Sequence, residues 1–299
     1  MAPAELGRGE ACARAALAGN PSDGYGGAVL ALVLPEHGTL ASARPAARID
    51  VSPESRLVRA TAERFVRELA PEAGGVAIEW STSIPRSVGL GGSSAIVIAT
   101  LRALCELHSV SLGRSELAEL ALAVETEDLG ITAGLQDRVA QAYAGLTFMD
   151  FAPDAGPDRY EQLDRGLLPP IVVGWHTGAG GESNVVHSGL RERFERGERI
   201  VLECLAELAR LGRGARHALL AKDTAQFMRC VDRSFDARRR MIDLDPRHVA
   251  MVECARACGA GANYAGSGGA IVAVCADERQ RQAVSRALAE LGCGMTAVA

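Results

Sequence analysis

IPRSVGLGGSSAIVIATLRAL, residues 84–104, sets three glycines and two serines directly ahead of an apolar run. Val97, Leu101, Leu104 and Cys105 recur at helical spacing, which predicts a helix through 96–107. The first N–H groups of a helix have no partner within it and carry the positive end of its dipole, so a turn of this kind is a natural anion site. Glycine permits positive φ and close backbone approach, while Ser93 and Ser94 offer hydroxyls to a phosphate oxygen or a magnesium ion. Taken alone, the same residues also read as a glycine turn with a serine N-cap, so the rest of the chain must decide.

The 299 residues are 48% hydrophobic, 23% charged and only 4% aromatic, the balance of a folded globular chain. That length predicts two hydrophobic cores. A net charge of −5, with no basic stripe beyond Arg238, Arg239 and Arg240, excludes a sequence-independent grip on nucleic acid. Lys222 is the only lysine, and no glycine turn ends in Gly-Lys-Ser/Thr, so a Walker-type loop is excluded. The eight cysteines are dispersed; the nearest pair, Cys254 and Cys258, has neither redox nor zinc spacing, and reduced thiols in a reducing compartment are expected. The first residues lack a basic segment followed by an apolar one, and no apolar run reaches the roughly 18 residues a membrane span needs, so a cytoplasmic protein without a membrane partner is expected.

Outward from the glycine turn, GGAVLALVL (26–34) reads as a strand, RLVRATAERFVREL as a helix with Leu57, Ala60, Phe65 and Leu69 on one face, and GVAIEW as a short strand. SELAELALAVETED reads as a helix capped by Ser115. Residues 150–166, rich in Pro, Gly and Asp, read as the boundary between portions 1–155 and 156–299. Beyond it PPIVVGW and GANYAGSGGAIVAVC predict strands, and four helical patterns follow, the last opening on Asp277 and stopping at Gly292. Helices and short strands mix in both halves, which makes the class α+β or α/β.

Four segments carry a resemblance. ARAALAGNPSDGYGG, IPRSVGLGGSSAIV, AVETEDLGITAGLQDRVAQAYAG and YAGSGGAIVA together resemble the GHMP kinases, in the family's order and over nearly the whole chain. With FDARRRM they are similar to the glucuronokinase branch, which phosphorylates the anomeric hydroxyl of a uronic acid. Asn20 and Pro21 stand where galactokinases place Glu and His, which speaks against galactose. The resemblance implies a two-domain α+β fold, with a mixed α/β nucleotide-binding portion and a ferredoxin-like C-terminal portion.

It also implies roles. Gly89, Leu90, Gly91, Gly92, Ser93 and Ser94 would wrap the phosphates of ATP, with Ser94 and Glu125 on Mg2+. Asp137, twelve residues after Glu125, would take or orient the acceptor's proton, with Arg14 as its catalytic companion. Asp23, Asn20 and Gly268 would line the substrate. Residue by residue other readings stay open: an Asx-turn for Asp23, a solvated acidic helix end for ETED, a strand-entry turn for GSGGA and a solvated face for the three arginines. His176 and His187 flank TGAGGESNVV, read as a loop, without zinc spacing. The expectation is therefore an ATP- and Mg2+-dependent sugar 1-kinase, monomer or homodimer. The alternatives are a family member acting on a neutral sugar, heptose phosphate or isoprenoid alcohol, and a non-catalytic ligand sensor.

Overall fold

A computed structural model describes residues 5–176 and 183–298, the side chains of 183–188 excepted. Along the chain run β1 (Gly7–Ala18), β2 (Ala28–Ala46), β3 (Asp50–Ser52), α1 (Arg56–Leu69), β4 (Gly75–Thr82), α2 (Gly92–His108), α3 (Arg114–Ala123), α4 (Gln136–Tyr143) and β5 (Leu146–Asp150). There follow β6 (Tyr160–Leu163), β7 (Ile171–His176), α5 (Ser183–Glu195), α6 (Arg199–Leu220), α7 (Thr224–Met241), α8 (Pro246–Ala257), β8 (Gly261–Tyr264), β9 (Ala270–Val274), α9 (Glu278–Glu290) and β10 (Cys293–Val298). Two compact units form, and each draws on separate stretches of the chain: Met1–Ala13, Val33–Pro85 and Gly91–Ala144 in the first; Arg14–Leu32, Arg86–Leu90 and Gly145–Ala299 in the second.

In the first unit β4 pairs parallel with β3 and antiparallel with the far end of β2, from Thr39 opposite Thr82 to Ala46 opposite Gly75. Ser55 caps α1 by accepting the N–H of Val58. The buried stripe of α1 is Val58, Thr61, Ala62 and Phe65, whereas Leu57 and Leu69 are only half-buried. Each fully buried side chain such as Phe65 or Val58 contributes about 1.5–3 kcal/mol. The first half of β1, Gly7–Cys12, has no counterpart among the expected strands, because its small and charged residues carry little β-propensity. Its composition is explained by the approach to α2: a Cβ at Gly7 or Gly9 would lie 2.1 or 2.0 Å from the carbonyl oxygens of Ala103 and Ala99. Ser115 does not cap α3; the Glu116 carboxylate accepts the N–H of Gly113, and Ser115 Oγ instead bonds the Tyr143 hydroxyl.

In the second unit the near end of β2 pairs with β5, and β5 with β6, both antiparallel. β6 lies inside the stretch read as the boundary between the two portions, and the four residues Tyr160–Leu163 are too short and polar for periodicity to mark. The other sheet is antiparallel, in the order β10-β7-β9-β8. With helices between β7 and β8 and α9 between β9 and β10, this is the ferredoxin-like βαββαβ arrangement. Its core joins Val172, Phe235, Met251, Tyr264, Ile271 and Leu288. β10 extends the chain past the expected final helix and forms an outer strand against β7. Asp223, Asp245 and Asp277 cap α7, α8 and α9 by accepting the N–H groups of Gln226, Arg247 and Gln280. Each cap is worth about 1 kcal/mol.

All eight cysteines are free thiols, and among the described residues no helix is long and apolar enough to cross a membrane. Residues 177–182 of the expected loop and the side chain of His187 lie outside the described residues, while Ser183 opens α5.

Candidate active site

The glycine turn places its residues in both units, Gly89 and Leu90 in the second and Gly91 to Ser94 in the first. Gly89 and Gly91 are left-handed, with φ of 75° and 71°, a conformation that disfavours a side chain. Gly91 is the N-cap of α2 and no side chain caps the helix. The serine-cap reading is therefore excluded: Ser94 is fully buried with Oγ donating to the Gly91 carbonyl at 3.1 Å, and Ser93 is exposed. The turn thus opens a 17-residue helix whose first N–H groups have no side-chain acceptor, the arrangement that suits an anion. Gln141, absent from the sequence-based candidates, fixes this start by donating to the Gly91 carbonyl at 2.8 Å and to Cys12 O at 3.0 Å.

Glu125 lies in a single wide helical turn, Val124–Asp128, directly after α3. Such π-turns recur at functional sites because the extra residue redirects a side chain. The acidic run divides there. Glu127 and Asp128 bind the Arg64 guanidinium at 2.5 and 2.6 Å, whereas Glu125 turns inward and is fully buried. Glu125 Oε2 accepts from both Nε (2.8 Å) and Nη2 of buried Arg138. Arg138 Nη1 donates to Gly134 O at 2.8 Å and lies 3.8 Å from Asp137 Oδ2. Arg138, also missed from sequence, thereby links the two carboxylates singled out there. Arg64 and Arg138 thus supply the positive charge that faces this acidic run.

Among the described residues no group of three His, Cys, Asp or Glu could hold a metal ion. Glu125 Oε1 is nevertheless buried with no hydrogen-bond partner, a hard oxygen without a proton donor. Mg2+ in nucleotide sites is held by one or two protein oxygens, with phosphate and water completing the octahedron. Glu125 Oε1 and Ser94 Oγ fit that modest donor set. Asp137 sits in the first turn of α4, where the helix dipole favours an anion, and its side chain is 18% exposed, enough to meet a solute.

In the second unit Arg14 is buried and its Nη1 donates to the carbonyls of Gly89 (2.7 Å) and Ala265 (2.9 Å), while its backbone N–H donates to Leu90 O. This arginine ties the glycine turn to the GSGG turn. The two turns touch backbone to backbone, since a Cβ at Gly266 would lie 2.0 Å from Gly89 O and one at Gly89 would lie 2.7 Å from Gly268 O. The Gly269 N–H donates to His248 Nδ1 at 3.2 Å, which anchors the far side of the turn. Asn20 is buried with both ends of its amide engaged: Nδ2 donates to Tyr264 O, and Oδ1 accepts from Asn263. Asp23 occupies a single 3-10 turn, Ser22–Tyr25, and is half-buried. Of the three consecutive arginines near the end of α7, Arg239 and Arg240 pair at the surface with Glu253 and Glu207, while Arg238 is fully buried.

The family model described as GHMP kinases N terminal domain matches residues 56–145, and that described as GHMP kinases C terminal matches 215–292, together more than half of the chain. Probable glucuronokinase 2 of Arabidopsis thaliana is 40% identical over 207 residues, covering 66% of this chain and 56% of that protein. Glucuronokinase 1 of the same organism is 38% identical over 206 residues, covering 66% and 57%. The chain matches just over half the length of these curated relatives. Galactokinase of Lactococcus lactis, solved with galactose, superposes with a TM-score of 0.81 at 18% identity over 98% of this chain and 93% of that one, which shows the shared fold. With both family models matched and the ferredoxin-like sheet in place, the chain belongs to the GHMP kinase family.

Proposed function

We propose that the chain is an ATP-dependent sugar kinase that transfers the γ-phosphoryl group to the anomeric hydroxyl of a uronic acid. The identity to glucuronokinases supports the acceptor. The observation that carries the chemistry is the buried Glu125–Arg138 pair, which leaves one carboxylate oxygen without a proton donor and stands beside Asp137.

Phosphoryl transfer asks a protein to position the reactants and neutralise charge rather than to form covalent intermediates. The N–H groups at the start of α2 and the backbone of Gly89 to Gly92 would hold the phosphates. Glu125 and Ser94 would hold Mg2+, which when bound neutralises charge on the β- and γ-phosphates. Asp137 would accept the proton of the anomeric hydroxyl as its oxygen bonds to the γ-phosphorus and the bridging bond to ADP breaks. Asp23 would hold ring hydroxyls. Arg14 and Asn20, engaged as they are with backbone and amide groups, would position the glycine turn and the Asp23 turn.

A coupled ADP-release assay with Mg-ATP against uronic acids, neutral hexoses, heptoses and mevalonate tests this reading. Turnover with a uronic acid is expected to exceed that with every other acceptor; turnover only with a neutral sugar or mevalonate would replace the acceptor, and none at all despite ATP binding would favour a sensor.

A further inference from the structure

Arg238 is the most buried cation of the second unit, 1% exposed, and its Nε and Nη1 have no hydrogen-bond partner. Its guanidinium lies 5.3 Å from the centre of the Tyr264 ring, and Tyr264 Oη is likewise buried without a partner. Burial pulls Arg238 down to about 10 and pushes the Tyr264 phenol up to about 12, so at neutral pH both N–H groups and the O–H remain donors. The charge of Asp23 acts on the same guanidinium and partly offsets the effect of its burial.

A buried guanidinium with free donors is costly, and cores keep such a group only where something compensates it. The ring is held in place from three sides: Phe235 and His248 pack on it at 5.5 and 5.9 Å, and the Tyr264 carbonyl accepts from Asn20. Three unpaired donors on two fixed side chains call for one acceptor with two oxygens and a negative charge, and a guanidinium fork matches a carboxylate in that way.

We propose that Arg238 and Tyr264 bind the carboxylate of the acceptor sugar and so determine selectivity for a uronic acid over its neutral parent hexose. This rests on the uronate kinase reading above. It divides the recognition of one molecule between two neighbouring groups, hydroxyls to Asp23 and carboxylate to Arg238. Arg239 and Arg240, already paired with glutamates, take no part.

The test compares the unsubstituted chain with Arg238→Met, Arg238→Lys and Tyr264→Phe. It measures KM for glucuronate and for ATP, turnover of glucose, and melting without ligand. Arg238→Met is expected to raise KM for glucuronate about 100-fold, because a charged partner of a carboxylate is lost. KM for ATP should change by less than about twofold, a split that separates acceptor binding from folding. Arg238→Lys should fall between, since a point charge replaces the fork. Without ligand, Arg238→Met should melt no lower than the unsubstituted chain, because an apolar side chain replaces an unpaired buried charge. An unchanged KM for glucuronate, or a KM for ATP that rises in step, overturns the assignment. If Arg238→Met does not fold, Tyr264→Phe decides: about a tenfold higher KM for glucuronate supports the subsite and no change overturns it. A wild-type chain inactive on every uronic acid fails at the function itself, before any variant is compared.

Discussion

Arg138 and Glu125, thirteen positions apart in sequence, form a buried ion pair in which both guanidinium contacts fall on one carboxylate oxygen and leave the other unpartnered. The pair has a structural and a chemical consequence that substitution can separate. Arg138→Met leaves Glu125 buried and unpaired, and should cost about 3–5 kcal/mol of stability by denaturant titration. The double variant Glu125→Leu with Arg138→Met should recover most of that loss while remaining inactive. A double variant as unstable as the single one would mean that packing, not charge pairing, is what Arg138 supplies.

Asp137 lies next to Arg138 yet stays partly open to solvent. Asp137→Asn keeps the shape and removes the proposed proton acceptor, so kcat should fall about 10²–10⁴-fold while ATP affinity holds. The check is steady-state kinetics beside nucleotide titration. Near-normal kcat would remove Asp137 from the chemistry.

The contact between the two glycine turns makes a third prediction. A methyl at Gly266 would sit 2.0 Å from Gly89 O, whereas one at Gly130 meets nothing within 4 Å. Gly130→Ala carries only the cost of a left-handed alanine, about 1–2 kcal/mol. Gly266→Ala must displace the loop expected to hold phosphate, and should raise KM for ATP by about tenfold or more. Equal effects of the two substitutions in ATP kinetics would show that the contact does not bear on the nucleotide.

His248 provides a pH test. Burial pulls its imidazole below the ordinary value of 6.5, and Nδ1 is occupied as an acceptor of the Gly269 N–H. Because the unfolded chain takes up this proton first, stability is full above pH 6.5 and declines as pH falls below it toward the folded-state value. Urea midpoints at pH 7.5 and 5.5 should therefore drop more for the unsubstituted chain than for His248→Gln. A larger drop in the variant would reverse the sign and refute the assignment.

Much of this could be read from the residues alone. The glycine turn, the last helix with its cap at Asp277, and the apolar strands announce themselves through local rules, since cap chemistry and periodicity depend on neighbours in sequence. The start of β1, β6 and β10 could not be read that way. β1 is built from small residues because a helix packs on it, β6 is four residues long, and β10 has a half-buried, unpatterned sequence. The residues proposed for function divide along the same line. Asp137, Glu125 and Ser94 came from a motif, whereas Arg138, Gln141 and Tyr264 gain their meaning from partners 13 to 129 positions away or from burial, which no local pattern encodes. Among three adjacent arginines, helical rotation alone decides that Arg238 faces inward while Arg239 and Arg240 meet glutamates outside.

The most direct test of the central claim is the structure of the product. Incubated with Mg-ATP and glucuronic acid, the chain should yield a sugar phosphate whose phosphorus is coupled to the anomeric proton in phosphorus–proton NMR, with ADP released in equal amount. Phosphate on any other hydroxyl, or ADP release with no phosphorylated uronate, would contradict the account.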